Sequence, residues 1–301
     1  EDYPSDGRPG APTRLAGARG EFVPGSFAVF SFEDTRGATL TVSDLRGSGG
    51  QQIAAAAIDL AIVKVWYQSG GGWHSYFADQ TGRMRVPELL LHDETLIRVD
   101  HETRDNYLRV DGPDASEYVW ISNPLAIDVP FNTQTEPVAD TATLQPFALH
   151  AGAFKQFWIT VHIPRDATPD IYRGTITLDQ GGRRAQQELY LRVLPFELPE
   201  PRTYHDLDRP FHTLLYNRPG YADILRENGG DHDHADRKLL AIFENMRRHN
   251  IRHPKVPDLP RSANAADKQA LKRHLELMRQ AGLDTTTLFG AVPGIPDYGW
   301  M

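Results

Sequence analysis

The stretch LQPFALHAGAFKQFWITVHIPRDATPDIYRGTITL, residues 144–178, decides the fold. Phe157, Ile159, Val161 and Ile163 alternate with Trp158, Thr160 and His162, the period of two that marks a strand with one face buried. Pro164 stops the ladder because it has no N–H to donate. Residues 165–170 hold Pro169 and two Asp, which suits a reversing turn. Tyr172, Gly174, Ile176 and Leu178 then alternate with Arg173, Thr175 and Thr177. Two strands across a short loop predict a hairpin of β-sandwich character.

Working outward, residues 1–18 read as a polar leader or linker rich in Pro and Gly, without an apolar signal core. Strands are expected from Arg19 onward: one around Phe27, Val29 and Phe30, a second around Leu40 and Val42, and a third over residues 58–68. Between them the alanine run 54–57 fits helix or strand equally. VPELLLHDETLIRVD (86–100) predicts a strand, a polar turn at His92-Asp93-Glu94 and a second strand around Leu96–Val99. Residues 101–143 are irregular apart from YVWIS. Residues 19–143 are therefore read as one β-sandwich module, and 144–202 as a second module or the completion of the first. PFELPEPR (195–202), with three prolines, reads as a stiff connector.

Past Arg202 the period changes. FHTLLY (211–216) predicts a short strand, and Leu239, Leu240, Phe243 and Met246 recur at helical spacing after a cap at Asp233 or Asp236. RHPKVPD gives a second, poorer strand. Residues 265–283 give a second helix with Gly282 as its terminator, and TTTLFGAV a third strand. That order predicts parallel βα units over 203–301, the opening of an incomplete (β/α)8 TIM barrel.

The segments QFWITVHIPRDATPDIYRGTITL, residues 18–47, VKVWYQSGGGW, VPELLLHDETLIRVD, RVLPFELPEP and FHTLLYNRP together resemble large secreted bacterial proteins. In those, β-sandwich modules precede a catalytic barrel similar to glycoside hydrolase family 123. Asp170 stands where such sequences usually have Gly, which implies a less tight turn. The resemblance implies a secreted or periplasmic setting and a carbohydrate partner. It further implies a substrate-assisted, retaining N-acetylhexosaminidase mechanism, in which an adjacent Asp–Glu pair on a later barrel strand acts. The only such pair, Asp93-Glu94, falls in the sandwich, so no catalytic residue is expected within these residues. Asp93-Glu94 itself reads as a solvated turn.

The totals narrow the classes. The chain has 301 residues, 32 basic against 40 acidic, for a formal net charge of −8, and a mean hydropathy of −0.47. That balance, without a clustered Lys/Arg run, argues against a nucleic-acid partner. No apolar run approaches the roughly 20 residues of a membrane helix. There is no cysteine, hence no disulfide, thiolate nucleophile or Cys-based zinc site. No phosphate loop or nucleophile elbow occurs, and no cofactor is expected.

Candidate binding residues are few. Trp73 and Tyr76, beside Gly70-Gly71-Gly72, either stack on sugar rings or bury at strand ends. Tyr216, Asn217 and Arg218 follow the 211–216 strand, where a βα unit would present them to a sugar. Asp258 sits at another strand end but between Pro257 and Pro260, which suits a plain turn. His232 and His234 among Asp231, Asp233 and Asp236 match no metal signature, and a loop with a helix cap accounts for them better. The leading expectation is the N-terminal portion of a glycoside hydrolase. The alternative is a non-catalytic carbohydrate-binding or structural cell-surface module.

Overall fold

In a computed structural model of the chain, residues 8–68, 83–112, 114–122, 138, 140–198, 214–215, 220–249, 251, 253–257 and 264–285 are described. The chain divides into two units, Glu1–Phe131 with Val138–Leu198, and Asn132–Pro137 with Pro199–Met301. The first is a β-sandwich. Its strands are β1 (Thr13–Arg19), β2 (Phe22–Ser31), β3 (Thr35–Val42), β4 (Leu45–Arg46), β5 (Gln52–Ile53), β6 (Ile58–Gln68), β7 (Met84–Leu91), β8 (Ile97–Asp100), β9 (Asp105–Asp111), β10 (Ser116–Trp120), β11 (Phe147–Leu149), β12 (Ala153–His162), β13 (Ile171–Gln180) and β14 (Arg183–Glu197). Strand β1 starts inside the stretch read as a leader.

One sheet has four strands in the order β2-β12-β6-β7, and the facing sheet runs β1-β14-β13-β3-β11 with β4 and β5 appended beside β13. Strands from 13–68 and from 147–197 thus share both sheets. Of the two readings of 144–202, the pairing of β12 with β2 and β6 fits the completion of the first module rather than a second one. The decisive hairpin is therefore split: β12 joins one sheet and β13 the other, and they face each other across the core. Phe157, Ile159, Val161, Tyr172, Ile176, Leu189 and Leu191, all at most 2% exposed, form the middle of that core. Glycine is called for by close packing at Gly25 and by backbone conformation at Gly181 and Gly182. A Cβ on Gly25 would lie 2.5 Å from Leu15 Cδ2 of the facing sheet. Gly181 and Gly182, with φ of +68° and +99°, make the two-residue turn from β13 to β14.

Asp170, the departure from the resembled pattern, has a defined task. Its Oδ2 accepts from the Ser48 amide at 2.6 Å, the Ser48 hydroxyl at 2.8 Å and Gln51 Nε2 at 2.7 Å. The Ser48 hydroxyl first, then the backbone amides of Ile171 and Ser48, hold its carboxyl below the usual carboxylate range. A glycine there could not tie down the 47–51 loop. A small third sheet, β10-β9-β8, carries its own cluster of Leu91, Leu96 and Ile97 with Trp66 and Leu108 against it.

The second unit holds α1 (Tyr221–Glu227), α2 (His232–Arg248) and α3 (Ala265–Gln280), with β15 (Leu214–Leu215) parallel to β16 (His253–Pro254). Ile224, Ala235, Leu239, Phe243 and Val256 are fully buried there, with Leu277 and Met278 beside them. The helices follow the three-and-four spacing. Asp231 rather than Asp233 or Asp236 caps α2, accepting from the His234 amide at 3.0 Å, and Asn264 with Asp267 forms a capping box on α3. The expected TIM-barrel opening is not present among the described residues. Only one parallel pair, two residues long, lies beside the three helices. The second strand was read from RHPKVPD, where Pro254 and Pro257 cannot donate to a ladder. The third, TTTLFGAV, lies almost wholly outside the described residues.

Candidate functional site

The predicted binding residues Trp73, Tyr76, Tyr216, Asn217 and Arg218, and Asp258, all lie outside the described residues. His232 and His234 are described, in the first turn of α2. His232 Nδ1 lies 2.9 Å from the Tyr221 hydroxyl, and His234 is 4% exposed. Asp236, one turn on, receives the Arg273 guanidinium of α3 on both oxygens, Nε at 3.1 and 3.2 Å. Burial first, then the bond to Asp236, pushes Tyr221 up to about 12. These groups join three helices to one another, so the HDHAD run serves packing.

Asp93-Glu94 is not the solvated turn that its composition suggests. Asp93 Oδ1 accepts from the Thr95 amide at 2.9 Å and caps a single 3-10 turn, while Oδ2 receives Arg109 Nη1 at 3.0 Å. Glu94 accepts from the Ala148 amide at 2.8 Å and pairs with Lys155, and its carbonyl receives Lys64 Nζ at 3.1 Å. Burial lowers Lys64 from the ordinary lysine range even though Glu94 works against it. Both carboxylates are thus committed to ion pairs with side chains that are at most about a quarter exposed. His92 joins the same turn: its Nε2 is 2.8 Å from Asp59 Oδ1 and its Nδ1 2.7 Å from the Thr141 carbonyl oxygen.

The chemistry open to solvent lies instead on the outer face of the four-stranded sheet. Alternation turns Phe27, Phe157 and Ile159 inward, and the opposite phase outward. The outward phase is aromatic. Phe30 pairs with Phe154, Ser26 with Trp158 and Phe22 with His162 across β2 and β12. Phe22, Phe30 and Phe154 are 51, 39 and 52% exposed, and Phe32, just past β2, is 85% exposed. The Phe30 ring lies 5.0 Å from Phe32 and 4.9 Å from Phe154, and Phe22 stacks on His162 at 4.4 Å. Phe154, Trp158 and His162 recur at every fourth residue of β12, so the row spans roughly 27 Å at about 3.4 Å per residue. Gln156 and Thr160 fall between them and supply hydrogen-bonding groups. An elongated, flat, aromatic surface with intermittent polar groups can take the apolar faces of sugar rings while bonding their hydroxyls. Alternation in the sequence sets Trp158 opposite in phase to Phe157, but its neighbours on β2 follow only from strand register.

No protein-family model matches the chain, and no curated protein matches it. Among solved structures, it is similar to a family 123 glycoside hydrolase from Clostridium perfringens, studied for glycolipid glycan hydrolysis, with a TM-score of 0.51 and 13% identity. That likeness is one of fold. It covers 91% of this chain and 41% of that enzyme, so the chain spans less than half of its neighbour's length. Two other structures match at lower TM-scores: the enzyme AvmM, which catalyses macrocyclization in alchivemycin A biosynthesis (0.26, 10% identity, 64% of this chain and 88% of that one), and one titled BspA_C_mut (0.17, 9% identity, 62% and 48%). Neither bears on the argument. Among the described residues no helix is long and apolar enough to cross a membrane.

Proposed function

We propose that this chain is the sandwich-bearing part of a glycoside hydrolase-like protein, and that the outer face of the four-stranded sheet receives the sugar chain. The observation that carries this is the aromatic row of Phe22, Phe30, Phe154 and Trp158 on β2 and β12. The likeness of fold to a glycan hydrolase supports it. The resemblance read from the sequence adds finer content: an exported protein and a substrate-assisted, retaining attack on an N-acetylhexosaminide. In this reading the acid and its partner carboxylate come from outside residues 1–301, since Asp93 and Glu94 are occupied by Arg109 and Lys155.

Affinity electrophoresis in neutral polysaccharide gels tests the surface. Each ring stacked on sugar contributes about 0.5–1.5 kcal/mol, so Trp158→Ala or Phe30→Ala weakens retention by roughly two- to tenfold. Unchanged retention in both variants contradicts the proposal. The occupied Asp–Glu pair favours a second reading, a purely non-catalytic binding module. The product of the full reading frame decides between the two: release of reducing sugar from N-acetylhexosaminides supports the first, and binding without release supports the second.

A further inference from the structure

The outer face of the facing sheet has a different chemistry. Register places Arg14 of β1 beside Tyr190 of β14, Tyr190 beside Arg173 of β13, and Arg173 beside Arg46 of β4. Two residues along β14, Arg192 lies between Ala16 and Ile171. Strands about 4.8 Å apart put the first three arginines within roughly 14 Å of one another. All four arginines are exposed. Arg14 and Arg173 hold their guanidinium carbons 4.8 and 5.5 Å from the Tyr190 ring centre, a cation–π arrangement that fixes both forks.

Two other arginines of this sheet, on β14, have acidic partners. Arg183 meets Glu33 at 2.7 Å and Arg184 meets Asp179 at 3.0 Å. Among the described residues, no carboxylate lies within 4.0 Å of the guanidinium of Arg14, Arg46, Arg173 or Arg192. Asp44, the nearest acid by sequence, is engaged with Gln52 Nε2 at 2.7 Å and the Ala55 amide at 2.9 Å. Beside the row lies an open recess of about 350 Å³, lined by Ser43, Asp44, Arg46, Arg173, Thr175 and Glu188 among others. Four exposed guanidiniums gathered on a chain of net charge −8, against Asp44 and Glu188 as the acids that line the recess, form a basic patch that its composition does not suggest.

We propose that this row is a binding site for an acidic polysaccharide, whose carboxylates or sulfates are taken by Arg14, Arg46 and Arg173. The guanidinium fork matches either anion in two parallel hydrogen bonds, and the Ser43 and Thr175 hydroxyls at the recess can meet ring hydroxyls. The choice of a sugar chain over other polyanions rests on the carbohydrate reading above; the site itself rests on the arginines alone.

Heparin and polygalacturonate, titrated into the protein as it stands, are the probes, with neutral dextran and duplex DNA as comparisons. Both side chains would lose charge-assisted contacts, so Arg46→Gln with Arg173→Gln lowers affinity by at least tenfold. Arg183→Gln with Arg184→Gln, on the same sheet but in ion pairs, changes it less than about threefold. These side chains are exposed, and equal melting temperatures of the two double variants confirm intact folding. Equal loss in both variants, or no loss in either, overturns the site. Duplex DNA bound through the same arginines as tightly as heparin overturns the choice of ligand. Binding of neutral glycan alone overturns this proposal and leaves the aromatic-face reading standing.

Discussion

The sheet faces of the sandwich and the core of the helical unit treat polar side chains differently. In the sandwich, the inward phases of β12, β13 and β14 are wholly apolar apart from positions at the rim, and the aromatic and arginine rows stand on the two outer faces. In the helical unit two imidazoles go inward, His234 at 4% and His274 at 1% exposed, and the buried Tyr221 meets the exposed His232. A sheet exposes a whole face once its other face is buried, so it can present a binding surface without disturbing its core. In the helical unit three helices close around a small core, and two of its histidines become part of the packing.

The contrast breaks most sharply at the core of the sandwich. Phe157, fully buried, touches Phe27 and Phe147 with ring centres at 5.5 and 4.9 Å. Phe157→Ala costs about 3–5 kcal/mol in denaturant unfolding, whereas Trp158→Ala, one residue away on the outer face, costs far less. Similar losses at the two positions would mean that the outer face is packed as tightly as the inner one.

A smaller effect separates the units by pH. His274 packs edge-on against Phe243 at 5.0 Å, and among the described residues neither of its ring nitrogens has a hydrogen-bond partner. Burial pushes its pKa down to about 4, against 6.5 for a free histidine. The unfolded chain therefore takes up the proton first. Stability from this group is complete above about pH 6.5 and is lost as pH falls toward 4, by up to about 3 kcal/mol. The opening free energy of the α2 and α3 amides, from hydrogen exchange corrected for its intrinsic pH dependence, falls over that window, and His274→Leu removes the fall. Identical pH profiles for wild type and variant would contradict it. The smallest effect is expected at the partly exposed ion pair: Asp236→Asn weakens the α2–α3 contact by about 1 kcal/mol, read as a lower denaturation midpoint.

Much of the sandwich was legible because alternation is a local signal. The 144–178 stretch shows both inward phases, and Gly181-Gly182 marks its following turn. The sequence does not show that β12 and β13 belong to different sheets, since sheet membership is set by partners more than a hundred residues upstream, β2 and β3. The three-and-four spacing found α2 and α3, but βα order alone could not tell a barrel from a helical unit with one two-residue parallel pair. Both surface rows were hidden for one reason. Phe22, Phe30, Phe154 and Trp158, like Arg14, Arg46, Arg173 and Arg192, are scattered along the chain and meet only through cross-strand register. Asp93-Glu94 misled in the other direction, since Arg109 and Lys155 close on it from β9 and β12.

Hydroxyl-radical footprinting with a bound neutral oligosaccharide tests most directly whether the aromatic sheet face holds sugar. Phe30, Phe154 and Trp158 should lose most of their oxidation in the complex, while the core residue Phe157 stays unlabelled with and without ligand. A ligand that binds and leaves those three side chains as reactive as before would contradict the account.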